Sequence, residues 1–393
     1  MKKHFVLGAL AVLALAACTK SEVVELNKGN EISLTAVTGK NITKAQDGFC
    51  NSNKPGDFQV WASTTADPKK VYFQNETYTK DGDTDTYKSE IAHYWPEEHL
   101  DFFAAKNHNG TVTFNPSAAV PFKFTGYTVN STVSAQTDFI YAVNKDQAKG
   151  SGKAPLNFRH ALSQIEFKAK NSNSSIRVFI DGIKVANVKS KGNFEVTGET
   201  DDAFVDHDHA FDPLHPDSDT RPAGTRGEWK NQDLNATYSV TFAEKGVASG
   251  STVDLTYSSG EYNTNSMYLL PQTLSVWDGS VAAEASGQDK AYFVVNALIY
   301  NVADPSAPFV KADNVVLWGT ESSPGVWTPR PIAVKIPAGQ WEDGKRYVYT
   351  FNFTTYGTRG TDPGTGDPVL TPIELTVTVD DFVDAGETNV NVE

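Results

Sequence analysis

The densest run of side chains able to hold a cation is Asp206-His207-Asp208-His209, with Asp212, His215, Asp217 and Asp219 close behind. Carboxylate oxygens and imidazole nitrogens can ligate a divalent metal. Their spacing here matches no zinc or calcium signature, and Pro213 and Pro216 break any regular element between them. The stretch reads as a solvated acidic insertion. Asp81, Asp83 and Asp85 imitate the opening of a calcium-binding helix-loop-helix. Thr86 stands where the turn glycine is needed, however, and Ala92 where the closing glutamate is needed. These three read as a polar hairpin tip. His160, in Phe158-Arg159-His160-Ala161-Leu162, has the chemistry of a general base. Its apolar neighbours make it a hydrogen-bonded structural histidine at the entry of a strand. No nucleophile elbow, paired-histidine motif, phosphate-binding glycine loop or CxxC pair occurs. No enzyme activity, cofactor or metal site is therefore expected.

The two cysteines have separate fates. Lys2 and Lys3 precede an apolar stretch from Phe5 to Ala17, which Leu15-Ala16-Ala17-Cys18 closes. That stretch falls short of the roughly 20 residues of a membrane span and has the layout of a secretory signal. Small residues directly before a cysteine resemble the bacterial lipobox. The resemblance implies a signal peptide over residues 1–17, cleavage before Cys18 and lipidation (palmitate-type acylation) of its thiol. Acyl chains contribute about 0.8 kcal/mol per buried CH₂, so several of them anchor a protein stably. Cys50 is then alone, no intramolecular disulfide can form, and stability must come from packed cores. Residues 1–17 carry two lysines and no acid, so their removal moves the formal net charge from −14 to −16. An acidic chain lacks the basic patches that nucleic acid requires.

The elements that must position any functional residue read as strands. The 393 residues are 39 % hydrophobic and 21 % charged, which is globular composition, and the length suits two domains. Phe, Tyr, Val and Thr abound while Met is scarce, which favours strands over helices. Residues 18–30 are a polar tether. In Glu31 to Val37, Ile32, Leu34 and Ala36 alternate with Ser33 and Thr35, the period of a strand with one buried face. Further strands are expected at 57–63, 70–73, 99–105, 111–114, 121–127 and 137–143. The Lys/Gly/Ser-rich stretch Lys145 to Lys153 marks the expected domain boundary, with one β-sandwich over 31–153 and another over 154–393. The second series covers 161–170, 175–190, 237–242, 252–257, 267–270, 291–302 and 347–353. It ends with 372–379 and 388–392. No window sustains a helical repeat, so the fold class is all-β, two sandwiches in tandem.

The order of these segments resembles the fimbrillin family, the Mfa-like subunits of the type V pili of Gram-negative anaerobes. The matching pieces are the lipobox, the strand Ile32 to Val37, Ile42-Thr43-Lys44-Ala45, Phe58-Gln59-Val60-Trp61-Ala62 and Tyr94-Trp95-Pro96 with Leu100 to Ala104. The second half adds Phe158 to Ile165, Tyr268-Leu269-Leu270-Pro271, Trp341, Gly344 to Tyr349 and the strand around Ile373. The resemblance implies two transthyretin-like β-sandwiches. It also implies export as an outer-membrane lipoprotein and assembly into a cell-surface fimbrium. A trypsin-like protease removes the first strand at a basic residue, and a terminal strand of a neighbouring subunit fills the vacated groove. Carried onto this chain, cleavage falls between Lys44 and Ala45, and the donor strand is the stretch with Ile373, Leu375, Val377 and Val379, or the last strand around Val390 to Val392. Here the chain departs from the pattern, because its first arginine is Arg159 and Lys44 stands where the family has arginine. An anchor subunit that keeps its lipid and is never trimmed, or a tip adhesin, is the alternative within the family. The partners implied are other pilus subunits, the outer membrane through the lipid, and a glycan or protein receptor on a host or bacterial surface. A different reading is a lipid-anchored glycan-binding protein, with Trp318, Trp327 and Trp341 of the late loops stacking on sugar rings.

Overall fold

The computed structural model describes residues 31–38, 54–82, 84–150, 153–196, 227–256 and 265–381. The first nine strands are β1 (Leu34–Thr38), β2 (Asp57–Thr64), β3 (Val71–Lys80), β4 (Tyr87–Ser89), β5 (Leu100–Lys106), β6 (Thr111–Phe114), β7 (Phe122–Thr128), β8 (Ile140–Gln147) and β9 (Ala154–His160). Then come β10 (Ser163–Asn171), β11 (Ile176–Val196), β12 (Glu228–Val247), β13 (Thr252–Asp254), β14 (Met267–Leu269), β15 (Gln272–Thr273) and β16 (Tyr292–Asn301). The last are β17 (Val315–Trp318), β18 (Thr320–Ser323), β19 (Val326–Thr328), β20 (Arg330–Lys335), β21 (Gln340–Trp341), β22 (Lys345–Phe353), β23 (Arg359–Thr361) and β24 (Pro368–Asp381). Among the described residues the only helical pieces are two short 3₁₀ turns, at Val133–Ala135 and Lys311–Asp313.

The expected all-β class and sandwich layering are what the sheets form. Seven strands, in the order β1-β4-β3-β2-β5-β8-β9, close on themselves, because β1 pairs with both β4 and β9. Ile32, Leu34, Phe58, Val60, Phe102, Ile140 and Leu156 fill the interior of this ring. The other thirteen strands of the main path and its branches form two layers. β24 joins the layers: residues 368–372 pair with β23, and residues 373–381 pair with β22. A strand that changes sheets makes a sandwich corner. The change falls at Pro372, which has no backbone N–H to give to either ladder. Between these layers lies the larger core, which includes Phe167, Ile180, Val185, Phe293, Ile332 and Phe351.

The two cores share walls, and the sequence shows how. In β2, Val60 and Ala62 face the ring interior while Trp61 faces the larger core; in β5, Phe102 and Ala104 face one and Phe103 and Ala105 the other. Side chains alternate along a strand. A strand buried on both faces must therefore read as a continuous apolar run, as Val60-Trp61-Ala62 and Phe102-Phe103-Ala104-Ala105 do. The β6–β7 hairpin leaves the ring and continues the second assembly, with Phe122, Phe124 and Tyr127 of β7 beside Val196, Phe194 and Gly192 of β11. The Lys/Gly/Ser-rich stretch joins β8 to β9, neighbours in the ring, and the chain passes from one sheet to the other at Ala161–Leu162.

Two strands run well past their sequence-based limits. β11 reaches Val196 and β12 begins at Glu228. Their ladder tolerates three register shifts, with Asn187, Asn231 and Leu234 in the left-handed region at φ 59°, 50° and 54°. Such bulges interrupt alternation and hide the continuation of a strand from a period-two reading. Most of β12 is exposed, so no apolar face marks it. The strands from Val315 to Trp341 are two to six residues long, too short for a period of two to mark them.

Candidate strand-exchange site

β1 occupies a slot that is asymmetric in its hydrogen bonding. On one side it runs parallel to β9 over five residue pairs, Leu34↔Ala154 to Thr38↔Phe158. On the other it meets β4 at the single pair Leu34↔Tyr87. Parallel neighbours need a long crossover, and here the crossover is everything from β2 to β8. The entry of β1 is held from a third direction: Ile32 N–H donates to the His93 carbonyl at 2.7 Å, and Glu31 bridges Tyr94. Ala154 N–H donates to the Ser33 carbonyl at 2.9 Å.

Ile32, Leu34 and Ala36 point into the ring and have almost no exposure. Their burial contributes about 4–7 kcal/mol by area, an upper figure because the unfolded chain is already partly compact. The floor of the slot is aromatic. Phe58 lies 4.8 Å from the ring centroids of both Tyr87 and Phe158. Tyr87 donates its hydroxyl to the Pro55 carbonyl at 2.7 Å, and burial, with the nearby Asp85 carboxylate, pushes its pKa up to about 12. Tyr78, one strand further round, is fully buried with its hydroxyl unpartnered among the described residues. Without β1 the ring would lose its closing strand and become an open six-stranded sheet, with β4 and β9 as its edges.

The C-terminal strand lies in the other assembly. Residues 373–381 of β24 run antiparallel to β22, from Phe353↔Ile373 to Lys345↔Asp381, and among the described residues nothing pairs with their outer edge. Ile373 is buried in the larger core, Leu375 and Val377 pack partly against it, and Val379 is exposed. The even alternation read from the sequence therefore corresponds to an edge strand seated in its own sheet.

The other sequence-based candidates fall as follows. His160 is a buried structural histidine as expected, its Nδ1 2.9 Å from the Asp138 carboxylate at the end of β9. Asp81 pairs with Lys88 at 2.9 Å and Asp85 with Lys54 at 3.0 Å, so these two carboxylates have cationic partners. Among the described residues no three metal-binding side chains converge. Trp341 is buried and donates its indole N–H to the Tyr349 hydroxyl at 2.9 Å. Trp318 is buried with the Arg330 guanidinium 4.2 Å over its ring, and Trp327 is half-buried on the β18–β19 hairpin. Two of the three tryptophans are thus occupied by packing. Cys18, Lys44, Ala45, Cys50, Asp83, the Asp206–Asp219 run and Val390–Val392 lie outside the described residues. Sequence reasoning missed His93, Tyr87 and Ala154 as the residues that clamp β1, because no local pattern links them to residue 34.

A family model described as fimbrillin-like matches residues 43–381. Among solved structures, a fimbrial protein from Bacteroides vulgatus is similar over 90 % of this chain and 100 % of its own, at 14 % identity and a TM-score of 0.52. A candidate cell adhesion protein from Bacteroides uniformis is matched over 90 % and 98 %, at 13 % identity and TM-score 0.42. A fimbrial assembly protein from Parabacteroides distasonis is matched over 90 % and 96 %, at 10 % identity and TM-score 0.34. No match was found among curated proteins. At these identities the first structure bears on the fold.

Proposed function

We propose, on the premise that the chain belongs to the fimbrillin-like family, that it is a structural and adhesive subunit of a cell-surface pilus. It joins its neighbours by exchanging strands. The solved structures it resembles include fimbrial proteins, which suits a structural rather than a catalytic role. The observation that carries the exchange reading is the seat of β1: it closes a ring, its inward face is wholly buried, and only one residue pair joins it to β4. A strand removed from this slot leaves an apolar groove with β4 on one side and β9 on the other. An incoming strand regains main-chain hydrogen bonds along β9, and its alternating apolar residues take the pockets of Ile32, Leu34 and Ala36.

In this reading the chain travels as a lipoprotein anchored at the outer membrane through Cys18, and cleavage after Lys44 frees the lipid together with β1. The donor is the C-terminal strand with Ile373, Leu375, Val377 and Val379, which must first peel from β22. Its unpaired outer edge and its progressively exposed far end lower the cost of that step. Partners are other pilus subunits.

Limited digestion with trypsin under native conditions tests the reading, with the new N-terminus determined by mass spectrometry and polymers followed on an unboiled gel. Trimming at Lys44 followed by a ladder is expected, with Lys44→Gln blocking both. A Lys44→Gln chain that polymerises normally would remove Lys44 from the mechanism. A chain that resists trimming at Lys44 and stays monomeric would point to an anchor subunit.

A further inference from the structure

A cleft of about 190 Å³ opens where the ring meets the second assembly, away from the β1 slot. Three separate stretches of chain build it: the residues after β5, residues 127–137 from the end of β7 through the 3₁₀ turn Val133–Ala135, and β14. Its principal lining residues are Asn107, His108, Tyr127, Asn130, Thr137 and Tyr268. No lining side chain is acidic, and none is lysine or arginine. Burial holds His108 below its ordinary pKa against a backbone contact at Gly110, so its ring is uncharged at neutral pH. In a chain of net charge −14 this is a neutral, amide-rich concavity.

The walls are fixed in advance. Asn109 donates to the Thr128 carbonyl at 2.7 Å and accepts from Thr128 N–H at 3.0 Å. Gln136 spans the cleft edge, donating to the Asn130 carbonyl at 3.0 Å and accepting from Tyr268 N–H at 2.8 Å. With the walls held by these bonds, other polar atoms are left for a ligand. Asn107 uses its amide N–H on the Asp138 carbonyl at 2.9 Å and keeps its oxygen. Asn130 uses its oxygen on Thr132 N–H at 2.9 Å and keeps its amide. The His108 ring closes the back of the cleft, its buried Nδ1 having no side-chain partner among the described residues. Asn107 also sits at φ 60°, a left-handed conformation that costs a non-glycine residue energy and gathers at functional sites.

We infer that this cleft binds a single neutral pyranose ring, free or as the terminal residue of a glycan. A cavity of about 150 Å³ admits benzene, and liquid water takes about 30 Å³ per molecule. The cleft thus has room for one six-membered ring with its hydroxyls. Carbonyl acceptors, amide donors and aromatic edges together match a sugar, whose hydroxyls both donate and accept and whose C–H face is apolar. The lack of fixed charge argues against phosphates, carboxylates and amines. Sites of this kind favour domain interfaces, and this one uses residues from both assemblies. A chain that never polymerised would still bind the sugar.

The test uses the intact chain and a panel of glucose, galactose, mannose and their methyl glycosides, read by saturation-transfer NMR. At least one sugar is expected to bind at about millimolar strength and to shift the His108 ring resonances. Ala135 is exposed at the rim, so Ala135→Trp fills the cleft without touching a core, and affinity should fall at least about tenfold at unchanged melting temperature. Asn107→Gly keeps the backbone conformation, removes the amide and should weaken binding by a similar factor. No saturation transfer from any sugar, binding that leaves His108 unshifted, or full affinity in folded Ala135→Trp would each overturn the assignment.

Discussion

Leu34→Ala measures how firmly the first strand holds the ring together. The side chain has no exposure and lies between Tyr87 and Ala154 in the register. Deleting three carbons costs about 2.4 kcal/mol by transfer from water. The hole does not collapse freely, because Tyr87 is tied to Pro55 and Phe58 is wedged between Tyr87 and Phe158. A residual cavity brings the total to about 3–5 kcal/mol. Against an ordinary stability of about 5–15 kcal/mol that is a large fraction. Urea denaturation followed by circular dichroism reads the difference, with Thr35→Ala as the comparison. Thr35 is half-buried on the opposite face of the same strand, so its truncation should stay near 0.5 kcal/mol. The same loosening should speed replacement of β1 by a competing strand. Equal costs for Leu34→Ala and Thr35→Ala would refute the reasoning, since β1 would then contribute no more through its inward face than through its outward one.

Other consequences follow from buried polar groups. Tyr78→Phe removes a buried hydroxyl that lacks a partner, so stability should rise by about 1 kcal/mol in the same urea assay; a clear loss would mean the hydroxyl is satisfied. His160→Phe breaks the hydrogen bond to the buried Asp138 carboxylate and should cost about 1.5–3 kcal/mol, seen as a lower melting temperature. Burial above all raises Tyr127 and Tyr349 well above the ordinary value of 10.0; the Asp138 carboxylate adds to it at Tyr127, while the hydrogen bond from Trp341 partly offsets it at Tyr349. A raised folded pKa means that stability is whole below pH 10 and is lost as the pH climbs toward the folded value. Between pH 9 and 11 each of these tyrosines should therefore remove about 1.4 kcal/mol, because only the unfolded chain ionises there. Denaturation midpoints that do not move between pH 9 and 11 would contradict their burial.

Much of the architecture is legible along the chain, and the parts that are not have common causes. The first strand is visible because Ile32, Leu34 and Ala36 alternate with polar residues, and each of the three is buried. The doubly buried parts of β2 and β5 show as the apolar runs Val60–Ala62 and Phe102–Ala105, and His160 is legible as structural from its apolar setting. β12 is illegible over its first half because that half lies exposed and bulged, where neither periodicity nor hydrophobicity is demanded. The late tryptophans look available for stacking in sequence, yet Trp318 and Trp341 are packed, since exposure depends on what the chain folds over them.

Alternation by itself determined which faces of the strands are inward, and hence the all-β class, the first strand and the shape of the C-terminal one. It could not determine partners. A period of two says which way a side chain points and nothing about the neighbouring ladder, and pairings distant in sequence depend on closing long loops. Only the tertiary structure decided that β1 closes a ring against β9, some 120 residues later in the chain. It also decided that β24 passes from one layer to the other at Pro372, and that three separate stretches of chain meet around a neutral cleft.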